Sequence, residues 1–248
     1  MPRDILGERC KLGILIPATN TVVQPEMDSM RPEGVTNHVA RIPNPNLPIT
    51  DDASFVRLID LLANALDGAA ETCISAAPDR LLLGVTALSV WGGRQATASR
   101  IAALEARSGV SVTTGAESLA TGLETLRLKR IGILSPYPPV LDDAVQNFFE
   151  EGGSEVLAFT SLRCSSPLAI AAVTAERIFS EICAADTEKI EAWVQVGTNL
   201  PVARLVAQLE SELGKPVLAV NPVSYWHALR SAGVDNQLAG FGTLLKEY

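Results

Sequence analysis

The side chains that could do chemistry in this chain sit in short loops that follow apolar runs. Ala18-Thr19-Asn20-Thr21 follows Leu12–Pro17 and leads to Glu26. Thr86 and Ser89 follow a run ending at Val85, ahead of Gly92-Gly93. Thr113-Thr114-Gly115 precedes Glu117 and Ser118, and Pro136-Tyr137-Pro138-Pro139 presents a phenol on a rigid loop. Gly197-Thr198-Asn199 and Asn221-Pro222 complete the set. These are mostly neutral hydrogen-bond donors, a set that suits a small carboxylate or carbonyl compound. The same residues have a plain structural use. Asn20 and its threonines could form an Asx or Thr turn, and Thr113 and Thr114 could cap a helix whose N-terminus also binds carboxylates.

Metal and nucleotide chemistry find less support. The 4 cysteines (Cys10, Cys73, Cys164, Cys183) form no CxxC pair, and the 2 histidines, His38 and His227, lie far apart. A zinc site or a disulfide framework is not expected. Gly92-Gly93 is followed by no GK[ST], and no G-x-G-x-x-G occurs, so neither a P-loop nor a dinucleotide site is indicated. Cys73 and Cys183 lie in helical patterns and read as small buried hydrophobes. Cys10 sits at the wrong end of a strand for a cleft residue. Cys164, after the strand-like stretch Val156–Leu162, is the cysteine that could approach a cleft. His227 reads as a helix-surface or packed residue.

The elements that must position these loops follow from hydrophobic pattern. Leu12–Pro17, Arg80–Val85, Val110–Thr113, Arg130–Ser135, Ala192–Val196 and Pro216–Val220 are near-continuous apolar runs, as in parallel strands covered on both faces. Val35–Ile42 is less apolar and reads as a strand nearer an edge. Helical spacing marks Ala53–Ser75, Ala96–Arg107, Glu117–Leu126, Asp142–Glu151, Ala169–Ala184 and Pro201–Leu213. This alternation predicts a doubly wound α/β fold, whose ligands bind beyond the carboxyl ends of the strands.

Composition agrees with a globular chain. Its 248 residues are 47% hydrophobic and 19% charged, with a net charge of −8. That charge argues against nucleic acid and anionic membrane as partners. No signal-peptide pattern and no run of 18 apolar residues is evident, so a cytoplasmic protein is expected.

The chain also repeats itself. Lys11–Pro17 resembles Lys129–Pro136, Val85–Val90 resembles Gly197–Val202, and Gly109–Val112 resembles Gly214–Val217. The order is kept while the offset drifts through 119, 112 and 105 residues. A duplicated half predicts two similar lobes facing one another across a cleft, lined by equivalent loops. Residues 1–110 with 226–248 are assigned to the first lobe and 111–225 to the second.

These segments resemble the aspartate/glutamate racemase superfamily, in its maleate isomerase and arylmalonate decarboxylase branch. Leu12–Glu26 (LGILIPATNTVVQPE) is similar to that branch's opening G-L-I-V-P-S-S-N-T-x-x-E-x-E. Gly84–Ser89, Ser135–Tyr137, Gly197–Leu200 and Asn221–Trp226 are further matches. The resemblance implies two pseudo-symmetric lobes, a cleft site, no organic cofactor or metal, and a homo-oligomer. It implies that Asn20 holds a substrate carboxylate. Thr86, Ala87, Thr198 and Asn199 would offer backbone amides and hydroxyls, and Tyr137 would be the remaining proton donor. The departures carry as much weight. Where the branch has its two catalytic cysteines, this chain has Val85 and Gly197. Neither can act as a thiolate. The expected function is a cofactor-independent isomerase or decarboxylase (a lyase) acting on a small (di)carboxylic acid without that cysteine chemistry. The alternative is a non-catalytic small-carboxylate-binding protein on the same scaffold.

Overall fold

The computed structural model describes residues 4–248. The first half carries β1 (Cys10–Pro17), α1 (Val23–Ser29), β2 (Val35–Ile42), α2 (Asp52–Ile74), β3 (Arg80–Leu83), α3 (Thr86–Val90), α4 (Gly93–Ser108), β4 (Val112–Thr114) and α5 (Gly115–Leu126). The second carries β5 (Arg130–Ser135), α6 (Pro139–Glu151), β6 (Glu155–Ser161), α7 (Pro167–Ala171), α8 (Ala175–Ala185), β7 (Ala192–Gln195), a 3₁₀ turn at Ala203–Leu205, α9 (Val206–Leu213), β8 (Val217–Ala219), α10 (Val220–Ser231) and α11 (Thr243–Glu247). The strands form two parallel four-stranded sheets, in the orders β2-β1-β3-β4 and β6-β5-β7-β8. The chain is thus an α/β protein of two similar lobes.

The repeat is written into the strand registers. Gly13 pairs with Leu81 and Gly132 with Trp193, while Leu81 pairs with Val112 and Trp193 with Val217. Each drifting offset therefore joins residues in the same place of the two sheets. Both glycines lie under a large neighbour. A Cβ on Gly13 would stand 2.6 Å from the Leu81 side chain, and one on Gly132 would stand 2.8 Å from the Trp193 ring.

In each sheet the strand order reverses between the first and third strands, the switch point where doubly wound sheets hold ligands. In the first lobe those strands are β1 and β3, and in the second β5 and β7. The loops that leave them carry Asn20, Thr86, Tyr137 and Thr198. Leu12, Ile14, Leu15 and Ile16 of β1 and Ile131, Ile133 and Leu134 of β5 are fully buried. Each such side chain contributes about 1.5–3 kcal/mol on burial, so the strand ends are rigid platforms.

Several expectations change. Ala169–Ala184 is two helices: α7 stops at Ala171, and Thr174 caps the next by accepting from Arg177 N–H. Pro201–Leu213 becomes a 3₁₀ turn before a shorter α-helix. β4 lies past the assigned boundary at residue 110 yet pairs with β3, so the first sheet runs on to Thr114. The second boundary, at 225/226, falls inside α10, which packs on α5, α1, β3 and β4. Cys183 is exposed rather than buried, since it faces out of amphipathic α8. Among the described residues no helix is long and apolar enough to cross a membrane.

Candidate active site

The switch-point loops of both lobes enclose one small cavity of about 60 Å³. That is room for several water-sized groups, the scale of a small organic acid. Asn20, Val85, Thr86, Ala87, Tyr137, Thr198 and Asn199 all line it, and its lining holds no charged side chain. Among the described residues, no group of three or more His, Cys, Asp or Glu side chains converges as metal ligands.

The two central loops grip one another. Gly197 N–H donates to Thr86 Oγ1 at 3.3 Å, and Thr198 Oγ1 donates to the Gly84 carbonyl at 3.0 Å. Each lobe's threonine thus reaches the strand end of the other. The N–H groups of Thr86 and Ala87 open α3, where a helix has no acceptor of its own for them. Thr198 and Asn199 are the central residues of a turn closed by Leu200 N–H to the Gly197 carbonyl. Two pairs of backbone donors therefore sit at matching places on the two lobes.

Asn20 has two tasks at once. Its Oδ1 accepts from Val22 N–H at 3.0 Å and Val23 N–H at 2.9 Å, the Asx arrangement that starts α1. Its Nδ2 donates to Thr198 Oγ1 at 3.3 Å, with a second hydrogen left for the cavity. Asn199 is more fully engaged. Its Oδ1 accepts from Thr21 N–H at 2.9 Å, and its Nδ2 donates to the carbonyls of Pro167 at 2.8 Å and Thr19 at 3.4 Å. Its side chain is a clip between the lobes, so its backbone N–H is what it can offer a ligand.

Tyr137 is buried, its ring 5.7 Å from Phe55. Burial pushes the phenol far above its ordinary value, and a hydrogen bond with Thr86 opposes this only in part. The group therefore stays protonated, as a donor and not a base.

The two positions that the resemblance assigns to cysteine differ in kind. Val85 is buried with extended backbone and contributes an apolar wall to the cavity. Gly197 has φ +95°, and a Cβ built there would stand 2.5 Å from Pro136 Cγ and 3.5 Å from Tyr137 Oη. The place of a side chain at 197 is already taken by the loop that carries Tyr137.

Other candidates fall outside. Ser89 Oγ donates to the Thr86 carbonyl at 2.8 Å, and Ser118 Oγ donates to the Thr114 carbonyl at 2.6 Å and contacts His227 Nδ1 at 3.1 Å. Burial lowers His227. Cys164 does not line the cavity, and burial raises its thiol.

An apolar part of the lining comes from α2. Phe55, Leu58, Ile59 and Leu62 of α2 face the cavity with Ile49 and Ile170. Their spacing puts them on one helix face, and a capping box between Asp51 and Ser54 fixes where α2 begins. The helical pattern was legible, but a face turned to a cavity has the same pattern as one turned to core. Glu26 and Asn221, far apart in the sequence, are joined beneath the Thr198 turn. Asn221 Nδ2 donates to Glu26 Oε2 at 2.7 Å and to the Thr198 carbonyl at 2.9 Å, and Ala203 N–H donates to Glu26 Oε1 at 3.0 Å. Burial pushes Glu26 up to about 7.

Residues 12–245 match the arylmalonate decarboxylase family model. The chain belongs to that family. A maleate isomerase of Pseudomonas putida is 28% identical, over 95% of this chain and 96% of the relative. An arylmalonate decarboxylase of Bordetella bronchiseptica is 25% identical, over 65% of this chain and 69% of the relative. Among solved structures, a maleate cis-trans isomerase of Nocardia farcinica with a covalently bound succinylcysteine intermediate superposes with a TM-score of 0.88. It is 21% identical, with 96% of this chain and 98% of that chain covered. An arylmalonate decarboxylase superposes with a TM-score of 0.79 at 18% identity, over 96% of this chain and all of the other. These likenesses agree with the two-lobed fold.

Proposed function

We propose that the protein is a cofactor-independent enzyme acting on a small (di)carboxylic acid, and that it works without a thiolate at 85 or 197. The carrying observation is the make-up of the cavity lining. It joins the loops that bear paired backbone N–H groups, Asn20 and Tyr137 to the apolar side chains of α2 and Val85, with no charged side chain among them.

Decarboxylation is the chemistry that suits this lining. One carboxylate of a malonate would take hydrogen bonds from Asn20 and the N–H groups of Thr86, Ala87, Thr198 and Asn199. The other would lie against the apolar wall. Its C–C bond breaks to release CO₂, and the electron pair passes into an enediolate on the retained carboxylate. Fixed donors aimed at that developing charge contribute on the order of 2.7–4 kcal/mol each. Tyr137 gives its proton to the α-carbon and is reprotonated from water. Isomerisation through a covalent thioether has no nucleophile here, because Val85 carries only methyl groups.

The test is incubation with maleate, aryl- and alkylmalonates and amino acids in D₂O, read by proton NMR. Turnover of a malonate with one deuterium taken up supports the proposal. No product and no deuterium uptake across the panel contradicts it.

A non-catalytic binder is the second reading, favoured by the absence of any group in the cavity that ionises at neutral pH. It predicts thermal stabilisation by small dicarboxylates with no product. No thermal shift would count against it.

A further inference from the structure

The two lobes repeat their sheets but not the loop that follows the third strand of each. In the first lobe α3 begins almost at once, and its helical start aims the N–H groups of Thr86 and Ala87. In the second lobe no helix begins before the 3₁₀ turn at Ala203. Thr198 and Asn199 are both buried in a tight turn, and among the described residues neither N–H meets an acceptor. Buried backbone donors without a partner are rare.

Two side chains stand behind this turn. Gln195, the last residue of β7, donates through Nε2 to the Gly197 carbonyl at 3.0 Å and to the Val196 carbonyl, while its Oε1 accepts from Val220 N–H at 3.3 Å. Asn221, next along α10, donates through Nδ2 to the Thr198 carbonyl at 2.9 Å and to Glu26 Oε2 at 2.7 Å. Both side chains are buried, and neither lines the cavity. Turning either amide round would set oxygen against carbonyl oxygen, so both orientations are fixed. The described peptides are all trans, so each N–H points opposite to the carbonyl before it. Holding the Gly197 carbonyl therefore aims Thr198 N–H, and holding the Thr198 carbonyl aims Asn199 N–H. The other partner of the Gly197 carbonyl is Leu200 N–H, within the turn itself.

The repeat shows that these side chains answer a need of the second lobe alone. Leu83 ends β3 where Gln195 ends β7. Ala116 is the second residue of α5 where Asn221 is the second of α10. Where a helix aims the donors, both places are apolar; where that helix is missing, both are amides. Asn221 also leaves its own Oδ1 buried with no partner, a cost that packing alone does not explain. We infer that Gln195 and Asn221 are positioning residues, which aim the Thr198 and Asn199 N–H groups at the bound carboxylate. That role rests on the proposed reaction, but the aim itself can be measured without substrate.

Residual dipolar couplings in a weakly aligned sample report the direction of each N–H bond. In the wild type, with the alignment set by the two sheets, the Thr198 and Asn199 couplings are expected to fit N–H bonds directed away from Gln195 and Asn221. A misfit overturns the inference whether or not a variant folds. Gln195→Met removes the donor behind Gly197 and is expected to change the Thr198 coupling while Asn199 keeps its own. Asn221→Ala is expected to do the reverse. A loss of stability alone would change neither coupling, or both alike. Couplings unchanged in both variants, or changed at both amides alike, therefore overturn the inference. For a malonate that is turned over, each variant is expected to lower kcat by about 10- to 10²-fold with KM within a few-fold. An unchanged kcat in both variants overturns it as well. A protein that turns over nothing removes the proposed reaction, while the couplings still decide the aim.

Discussion

The hydroxyl of Tyr137 lies 3.5 Å from the point where a side chain on Gly197 would begin. The two residues belong to the loops after β5 and β7, neighbouring strands at the switch point of the second sheet. Where the resemblance places a thiol, this protein has a protonated phenol and the ring of Pro136.

The two positions that the resemblance assigns to cysteine are unequal. Gly197→Cys forces a Cβ to 2.5 Å from Pro136 at φ +95° and is expected to cost on the order of 1–3 kcal/mol in denaturant unfolding. Val85→Cys meets ordinary extended backbone and is expected to cost less than about 1.5 kcal/mol. A Gly197→Cys variant as stable as the wild type would show that the Tyr137 loop does not fill the site.

Asn199 ties the loop after β1 to the second lobe. Asn199→Ala removes three hydrogen bonds and leaves the Thr21 N–H and the Pro167 carbonyl without their partner. The expected loss is about 1–3 kcal/mol, with faster amide exchange at Thr21. Unchanged exchange there would contradict the clip.

Glu26 gives stability a pH dependence with a definite sign. Its carboxyl is raised from 4.5 to about 7, so between those values the folded state binds more protons than the unfolded one. Stability therefore falls as pH rises through that window, by on the order of 1–3 kcal/mol. Asp142 contributes with the same sign, but only up to about 6. Glu26→Gln should flatten the part of the slope between pH 6 and 7. Chemical denaturation at a series of pH values measures it, and an unaltered slope in that interval would refute the assignment.

What the sequence discloses depends on how local the signal is. Strands β1, β3, β5 and β7 are continuous apolar runs, and the repeat is a pattern of neighbouring residues, so fold and loop positions could be read directly. Asn20, Thr86 and Thr198 stand out as polar residues just past strand ends. The apolar wall of α2 could not be read, because Phe55 and Leu58 look the same facing a cavity as facing core. Nor could the hydrogen bonds around Tyr137, since Ser135, Asp142 and Ser161 come from three elements and only their meeting gives them meaning. Asn199 was legible as a site residue, while the use of its side chain as a clip depends on Thr21 and Pro167, which lie in distant segments.

The most direct test of the proposed chemistry is kcat for a turned-over malonate in Tyr137→Phe relative to the wild type. As the proton donor, Tyr137 predicts a fall of about 10²- to 10⁴-fold with KM within a few-fold. An unchanged kcat in Tyr137→Phe would contradict the account.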